Sequence, residues 1–492
     1  MEVYMKIFSK ALLICVLAFV MLTAAACNGG NEADKVTPTP KVTATPGSNT
    51  IPGETYKFWS WQFQSADVYQ GDTIRDQAMR ERVQALQEEL QITIEFVPNT
   101  GQWDMLRQSA FQGMPEVDGG KEGGLHTMLQ TYLYQDVPGA CLEPLSDHPE
   151  SFDFSNTNKF EVEAQNEMTT FSGKLWYFIP IELGIHFECA GNVLVFNKRL
   201  VTEAGYTPEQ LYGWYEDGTW TWDKFEEVLV ATTDAGKNQW GIERGNSPLV
   251  AWALVQSNEG EYVRLIEDAD GNKQDYFVGY EPNTIAAYEE YVKLAKDLKC
   301  MEPTYYGTVD QVPLNNFMNG KTAFMFTGFS TNSLDKVAQM TEDYGILPTP
   351  KGPANVADKD QYTAYFPHMN PYLCYRGTQN PSGTIEVLAK VFQPIYDADS
   401  QDAKDLYETE KTLFSRDEES KKVLDITEAN KTFVRQMTYG FAMCGEKTFH
   451  DMLSGDAETQ ILDGEITAKA YFDSITDTVN AAIVANSPYT WQ

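Results

Sequence analysis

The chain runs to 492 residues and sets 71 acidic against 37 basic side chains, a formal net charge of −34 at pH 7. Charge of that sign repels phosphate backbones and anionic lipid surfaces, which excludes nucleic acid as a partner and disfavours a polyanionic ligand against a neutral one. Beyond residue 53 there remain about 440 residues, enough for two or three domains with ample cores.

Aromatic residues make up 13% of the chain, with 10 Trp and 26 Tyr. That is more than a core needs, and such rings can cover the flat C–H faces of a guest, although any single one is more often a packing residue. Five cysteines, at 141, 189, 300, 374 and 444, lie beyond the amino-terminal segment. Their number is odd, their spacing is wide and no Cys-x-x-Cys occurs, so they read as buried thiols and neither a disulfide framework nor a zinc site is indicated.

At the amino terminus, Lys6 and Lys10 precede an apolar run over residues 11–22, and Ala24-Ala25-Ala26 lead to Cys27. A charged start, a short apolar core and a small-residue exit make residues 1–26 a secretory signal, too short for a membrane span. Cys27 after that exit resembles a bacterial lipobox, with Ala24 where Leu is preferred. The resemblance implies lipidation of Cys27, palmitate included. Residues 27–53 hold Thr37-Pro38-Thr39-Pro40 and Thr43-Ala44-Thr45-Pro46. With almost no large apolar side chain, they cannot offset their ordering entropy, and they read as a disordered tether.

The folded part opens with a predicted strand over residues 56–61 and a loop over 62–70. Ile74, Ala78, Val83, Leu86 and Leu90 recur at helical spacing, Ile92, Ile94 and Phe96 alternate as a strand stopped by Pro98, and Trp103, Leu106, Ala110 and Phe111 mark a second helix. This β-α-β-α order predicts a parallel sheet covered on both faces. Ligands of such sheets lie beyond the carboxyl ends of the strands, which singles out Trp61 and Phe63, with Gln64 beside them. Residues 118–124 form a Gly-rich loop holding Asp118 and Lys121.

Further on, Val193, Val195 and Phe196 predict a buried strand, Asn197 starts a helix, and Gly205 sits where that helix would end in the left-handed conformation. Thr221 is placed as an N-cap with Asp223 in the first turn, and Phe225, Val228 and Leu229 follow at helical spacing. Trp240-Gly241-Ile242 precedes a helical run around Trp252, Leu254 and Val255. Residues 258–262 and 266–272 predict a hairpin. Asp268, Asp270 and Asn272 have calcium-like spacing, but Lys273 and Gly279 stand where such a loop needs Gly and Glu, so a polar turn is the better reading. Residues 283–298 predict an amphipathic helix, and residues 323–326 a strand followed by a helix after Ser330. Ile385, Leu388 and Val391 mark another helix, residues 396–430 are very acidic and carry no landmark, and a final helix runs through Phe472, Ile475, Val479 and Ile483.

The succession of local motifs is more specific than any one of them. Gly173-Lys174 with Tyr177 and Pro180, Phe196-Asn197-Lys198 with Leu200 and Ala204-Gly205, Thr221-Trp222-Asp223 with Phe225, Phe317 with Gly320-Lys321 and Ala323, and the Gly345 to Gly352 segment with its prolines occur in order. In this the chain resembles the family 1 type of extracellular solute-binding proteins that serve bacterial carbohydrate ABC importers. The resemblance implies an α/β, two-lobed periplasmic-binding-protein-like fold with hinge-linked lobes (type II-like). It implies lobe 1 over 54–181 and 370–432 and lobe 2 over 182–369 and 433–492, with motif residues such as Asn197, Lys198 and Trp222 serving as scaffold. Phe329 stands at the aromatic position that stacks on sugar in relatives, where Trp is usual. The expected cleft residues are Trp61, Phe63, Gln64, Asp118, Lys121, Glu182, His186, Trp252, Phe329 and His368. The implied partners are a carbohydrate ligand, ABC permease subunits and, through the lipid anchor only, the membrane. The implied protein is a monomer without cofactor or metal, at the extracellular face of the cytoplasmic membrane.

The sequence holds no nucleophile elbow, no phosphate-binding Gly-rich loop and no His-Glu-x-x-His, and its five His are scattered. Capture without reaction is therefore the expected chemistry. A glycoside hydrolase with paired carboxylates and a ligand-sensing surface protein are the alternatives.

Overall fold

A computed structural model describes residues 47–60, 69–70, 74–98, 124–127, 142–181, 190–244, 249–304, 311–329, 331–355, 362, 364–366, 371–397, 399–435, 439, 442–487 and 489. The main elements in chain order are β1 Thr55–Ser60, α1 Ile74–Leu90, β2 Thr93–Pro98, β3 Gly124–Thr127, β4 Ala190–Asn197, α2 Lys198–Glu203, α3 Pro208–Glu216, α4 Trp222–Thr232, β5 Trp240–Ile242, α5 Leu249–Ser257, β6 Val263–Glu267 and β7 Lys273–Phe277. They continue with α6 Pro282–Val292, α7 Gln311–Met318, β8 Thr322–Phe329, α8 Thr331–Ala338, β9 Tyr344–Leu347, β10 Ala364–Phe366, β11 Tyr372–Cys374, α9 Pro381–Val391, α10 Gln401–Phe414, α11 Glu418–Ala429, β12 Lys431–Phe433, α12 Ala457–Leu462 and α13 Ala468–Asn486.

The first sheet has the order β11-β3-β1-β2, with β1 parallel to β2 and β3 and with β11 antiparallel. Alternation along β1 buries Tyr56 and Phe58 and leaves Lys57 and Trp59 partly exposed. Phe58 stacks on Phe96 of β2 at 5.5 Å and meets Phe392 edge-on at 5.5 Å. Met79, Leu86 and Leu90 of α1 and Ile385, Leu388 and Val391 of α9 complete this core. The strand and helix expected from Tyr56 to Leu90 are thus both present, and the expected second helix around Trp103 lies outside the described residues.

The second sheet has the order β9-β4-β8-β5, with β4 antiparallel to β8 and β9, and β5 parallel to β8. Val193, Leu194, Val195 and Phe196 are all fully buried, so β4 is covered on both faces, which explains its unbroken apolar run. Asn197 then caps α2: its Oδ1 accepts from the Leu200 N–H at 3.1 Å and its Nδ2 donates to Glu342 at 2.6 Å. Lys198 pairs with Asp343 at 2.9 Å and Asp417 at 2.8 Å, and Arg199 with Glu342 at 2.9 Å. Gly205 closes the helix with φ +93°, the left-handed cap expected there. Trp220 donates to the Pro348 carbonyl at 3.0 Å and Trp222 to the Ser257 hydroxyl at 3.1 Å. The polar and aromatic motif residues are scaffold.

The two cores meet along a pair of neighbouring segments. Phe178 and Tyr372 exchange both backbone hydrogen bonds, at 3.0 and 2.9 Å, and their rings stack at 5.3 Å. Because side chains alternate on extended chain, Phe178, Tyr372 and Cys374 enter the first core while Tyr177, Ile179, Leu373 and Tyr375 enter the second.

Three expectations are corrected, and a fourth, the N-cap at Thr221, is met in position but without a capping bond. The acidic stretch 396–430, placed with the first lobe, carries α10 and α11, which pack on the second sheet. Tyr344 donates to the Phe414 carbonyl at 2.6 Å, the Ser420 hydroxyl accepts from Ile346 N–H at 2.9 Å, and Tyr212 donates to Asp417 at 2.8 Å. Thr221 holds the N-cap position of α4, but its side chain accepts no capping bond. Its neighbours instead pair with Lys351, Trp222 N–H to the Lys351 carbonyl at 3.0 Å and Lys351 N–H to the Trp220 carbonyl at 3.0 Å. The hairpin is built from β6 and β7, one turn later than expected, because residues 258–260 close α5. At its tip Asp268 accepts from the N–H groups of Asp270 and Asn272, both at 2.9 Å, the polar turn preferred over a calcium loop. Finally, the tether ends before residue 53: residues 48–53 are hydrogen-bonded to Glu386 and Asn380 at α9, to the Tyr56 hydroxyl of β1 and to the Gln91 carbonyl after α1.

Candidate functional site

β1, β2 and β3 run parallel and end at Ser60, Pro98 and Thr127, so the chain leaves all three at one end of the first sheet. In the second sheet β8 ends at Phe329, whose backbone pairs with Ala190 at the start of β4, and β5 runs the same way as β8. These carboxyl ends are where open α/β sheets bind ligands.

Trp61, Phe63 and Gln64 follow β1 in sequence, Asp118 and Lys121 fall between β2 and β3, Glu182 and His186 precede β4, and His368 follows β10. All eight lie outside the described residues, as does Cys27. Phe329 is the last residue of β8, and nothing of its side chain is described. The strand expected over residues 323–326 runs on to Phe329 itself.

Trp252 is different. It sits on α5, is 1% exposed and belongs to the second core, with His450 edge-on to its ring at 5.9 Å. A ring enclosed in this way offers no open face to a guest, contrary to the expectation that Trp252 lines the cleft. Burial lowers the His450 pKa, which favours the neutral imidazole against that indole.

Sequence reading passed over two buried polar residues near these strand ends. Glu243 follows β5 and is 1% exposed, with its Oε2 unpartnered. Burial pushes its carboxyl well above the ordinary range, the charge of Glu302 adding to the effect, so the neutral acid is favoured. Gln256, one helical turn after Trp252 on the same face of α5, is buried with its Nε2 unpartnered, as is the Trp252 Nε1. Unpartnered buried polar atoms are uncommon and call for a guest or water. Glu243 was legible as the residue just past a strand; Gln256 carried no signal, because a buried Gln in an apolar helix has no distinguishing pattern.

The other buried carboxylates are engaged by their neighbours. Glu302 accepts from Asn316 Nδ2 at 3.1 Å, Glu458 from Tyr291 at 2.7 Å and Arg244 at 2.9 Å, and Asp275 from Arg435 and Tyr439, both at 2.6 Å. Among the described residues no group of three or more His, Cys, Asp or Glu is placed to hold a metal ion.

No protein-family model matches the chain, and no curated protein matches it. Solved structures match its fold. An ABC substrate-binding protein from Listeria monocytogenes in complex with cycloalternan is 14% identical with a TM-score of 0.58, over 87% of this chain and 98% of that one. The GacH receptor of Streptomyces glaucescens, solved unliganded and with acarbose, is 15% identical with a TM-score of 0.58, over 88% and 98%. UgpB from Mycobacterium tuberculosis in complex with glycerophosphocholine is 14% identical with a TM-score of 0.58, over 89% and 99%. At these identities the likeness speaks for architecture: the chain has the α/β, two-lobed fold of ABC substrate-binding proteins.

Proposed function

We propose that the chain is a substrate-binding lipoprotein that captures a sugar or oligosaccharide between two lobes, unaltered, and delivers it to an ABC permease. The observation that carries this reading is the pairing of two sheets, with separate cores, across the doubled segment Phe178–Tyr372, in an architecture that the structural neighbours use for binding. In this reading lobe 1 comprises 54–181 and the stretch from 370 through α9, and lobe 2 the rest, including α10 and α11. Closure about the doubled segment is driven by the difference in ligand affinity between open and closed forms.

Trp61, Phe63 and Phe329 supply ring faces and Gln64, Asp118, Lys121, Glu182, His186 and His368 polar partners, with Glu243 in its neutral form and Gln256 beneath them. A net charge of −34 favours a neutral polyol over an anion. Cys27 carries the lipid and residues after it the tether, which places the monomeric protein on the outer face of the membrane. A thermal-shift screen over mono- and oligosaccharides, with glycerophosphocholine included, tests the reading. A rise in melting temperature with a sugar and no product on a glycoside panel supports it; sugar cleavage, or a response to glycerophosphocholine alone, refutes it.

A further inference from the structure

The chain passes between the two cores once more after α9. Phe392 belongs to the first core, while Ile395 and Tyr396 pack against the second, so the passage falls at Gln393 and Pro394. It runs beside the doubled segment, where the Phe392 ring meets Tyr372 at 4.1 Å. Two cations hold it from the side of the first core. Arg82 of α1 donates to the carbonyls of Val391 at 3.0 Å and Pro394 at 2.6 Å, and to that of Gln393. Lys159, next to Phe160 of the same core, donates to the Gln393 side-chain carbonyl at 3.1 Å and lies 5.5 Å from the Phe152 ring.

A cavity of about 470 Å³ opens at this passage, a volume ordinary for a small-molecule site. Its walls come from both sides. Arg82 and Lys159 stand on one, and Asp397 with Ser400 and Asp402 at the start of α10 on the other. Ser400 caps α10 by accepting from the Ala403 N–H at 3.1 Å, which leaves its own O–H as a donor. Leu406 and Phe414 bury α10 in the second core. A guest in the cavity would therefore touch both cores at once.

The charges on these walls do not neutralise one another. Among the described residues, the half-buried Lys159 has no carboxylate within ion-pair reach, and the exposed carboxylates of Asp397 and Asp402 pair with no cation. A simple anion would reach Lys159 only past those carboxylates and against the field of a chain carrying −34. A simple cation would leave Lys159 opposing it, and a neutral guest would offset neither sign. One molecule carrying both signs satisfies both walls. We propose that this cavity binds a small zwitterion, an amino acid or other amino carboxylate, with its carboxylate on Lys159 and its ammonium group at Asp397 and Asp402. Bound there, the guest bridges the passage and stabilises the two cores in this arrangement. The site is apart from the strand ends of both sheets, and the inference does not depend on what binds there.

Titration calorimetry and thermal shift on the full chain, with no sugar present, test this separately from the sugar-binding reading. The probes are glycine, β-alanine, γ-aminobutyrate and ε-aminocaproate, which set the two charges progressively further apart, with acetate and methylamine as carriers of one charge each. At least one amino carboxylate is expected to bind saturably and to raise the melting temperature, while acetate and methylamine do neither. Lys159→Met and Asp402→Asn should each weaken that binding about tenfold or more, the loss of one charge-assisted contact. Asp402 is exposed, so its substitution keeps the test decisive should Lys159→Met disturb the packing on Phe152. Failure of all four amino carboxylates to bind, equal binding of acetate or methylamine, or an affinity that survives both substitutions overturns the proposal.

Discussion

Glu290 gives the sharpest test of the packing. It lies on α6 with its side chain 9% exposed, facing Glu226 of α4, while Lys293 reaches both, at 3.4 Å from Glu290. Burial pushes its pKa up from 4.5 to about 7, the Glu226 charge adds to this and Lys293 opposes it. The Cys300 thiol nearby is itself raised to about 12 by burial. A carboxyl whose pKa is higher in the folded than in the unfolded chain binds its proton more tightly when folded. Its contribution to stability is complete below pH 4.5 and is lost as pH rises through about 7. Moving the titration that far corresponds to about 3 kcal/mol at ~1.36 kcal/mol per pH unit. Lys293 offsets part of the cost and its side chain is 40% exposed to screening water, so about 1–2 kcal/mol should survive. Glu290→Gln, which removes the charge and keeps the shape, should therefore be more stable than the natural protein at pH 8 by that amount, seen in urea melts. The difference should shrink as pH falls and be near zero below about pH 4. A pH-independent difference, or a less stable variant at pH 8, would refute the reasoning.

Three further outcomes are expected. Trp61→Ala with Phe329→Ala should weaken sugar binding at least about tenfold by titration calorimetry while the circular dichroism spectrum stays unchanged, since stacked rings contribute about 1–3 kcal/mol. Asn197→Ala removes the cap of α2 and one of the donors to Glu342, which Arg199 still holds, so it should cost about 1–2 kcal/mol in urea melts and leave sugar affinity as it was. Cys300 and Cys374, raised by burial to about 12, and Cys444, raised to about 11, should stay unlabelled by an iodoacetamide reagent at pH 8 in the folded protein and react once it is unfolded.

What was legible in the sequence was what short-range pattern records. Alternation fixes β1, helical recurrence fixes α1, an unbroken apolar run marks the doubly covered β4, and a glycine at φ +93° ends α2. What was not legible depended on partners far away in the chain. Residues 48–53 look like more of the Thr/Pro-rich tether, because nothing near Ser48 announces Glu386, 338 positions on. Helices α10 and α11 carry apolar stripes ending in Leu406, Phe414, Val423 and Leu424, but a stripe says that a face is buried without saying against which sheet. Thr221 met every local criterion for a capping hydroxyl, and a backbone pairing with Lys351 took precedence.

Trp252 shows why aromatic richness alone is a weak guide to a site. Its neighbours Trp220 and Trp222 have indole donors satisfied by Pro348 and Ser257, and they serve the core outright. Trp252 is as enclosed as they are, yet its Nε1 and the Gln256 Nε2 one turn on have no partner, and Glu243 keeps an unpartnered oxygen at the end of the parallel strand β5. A well-packed interior does not retain three such atoms on consecutive elements without compensation.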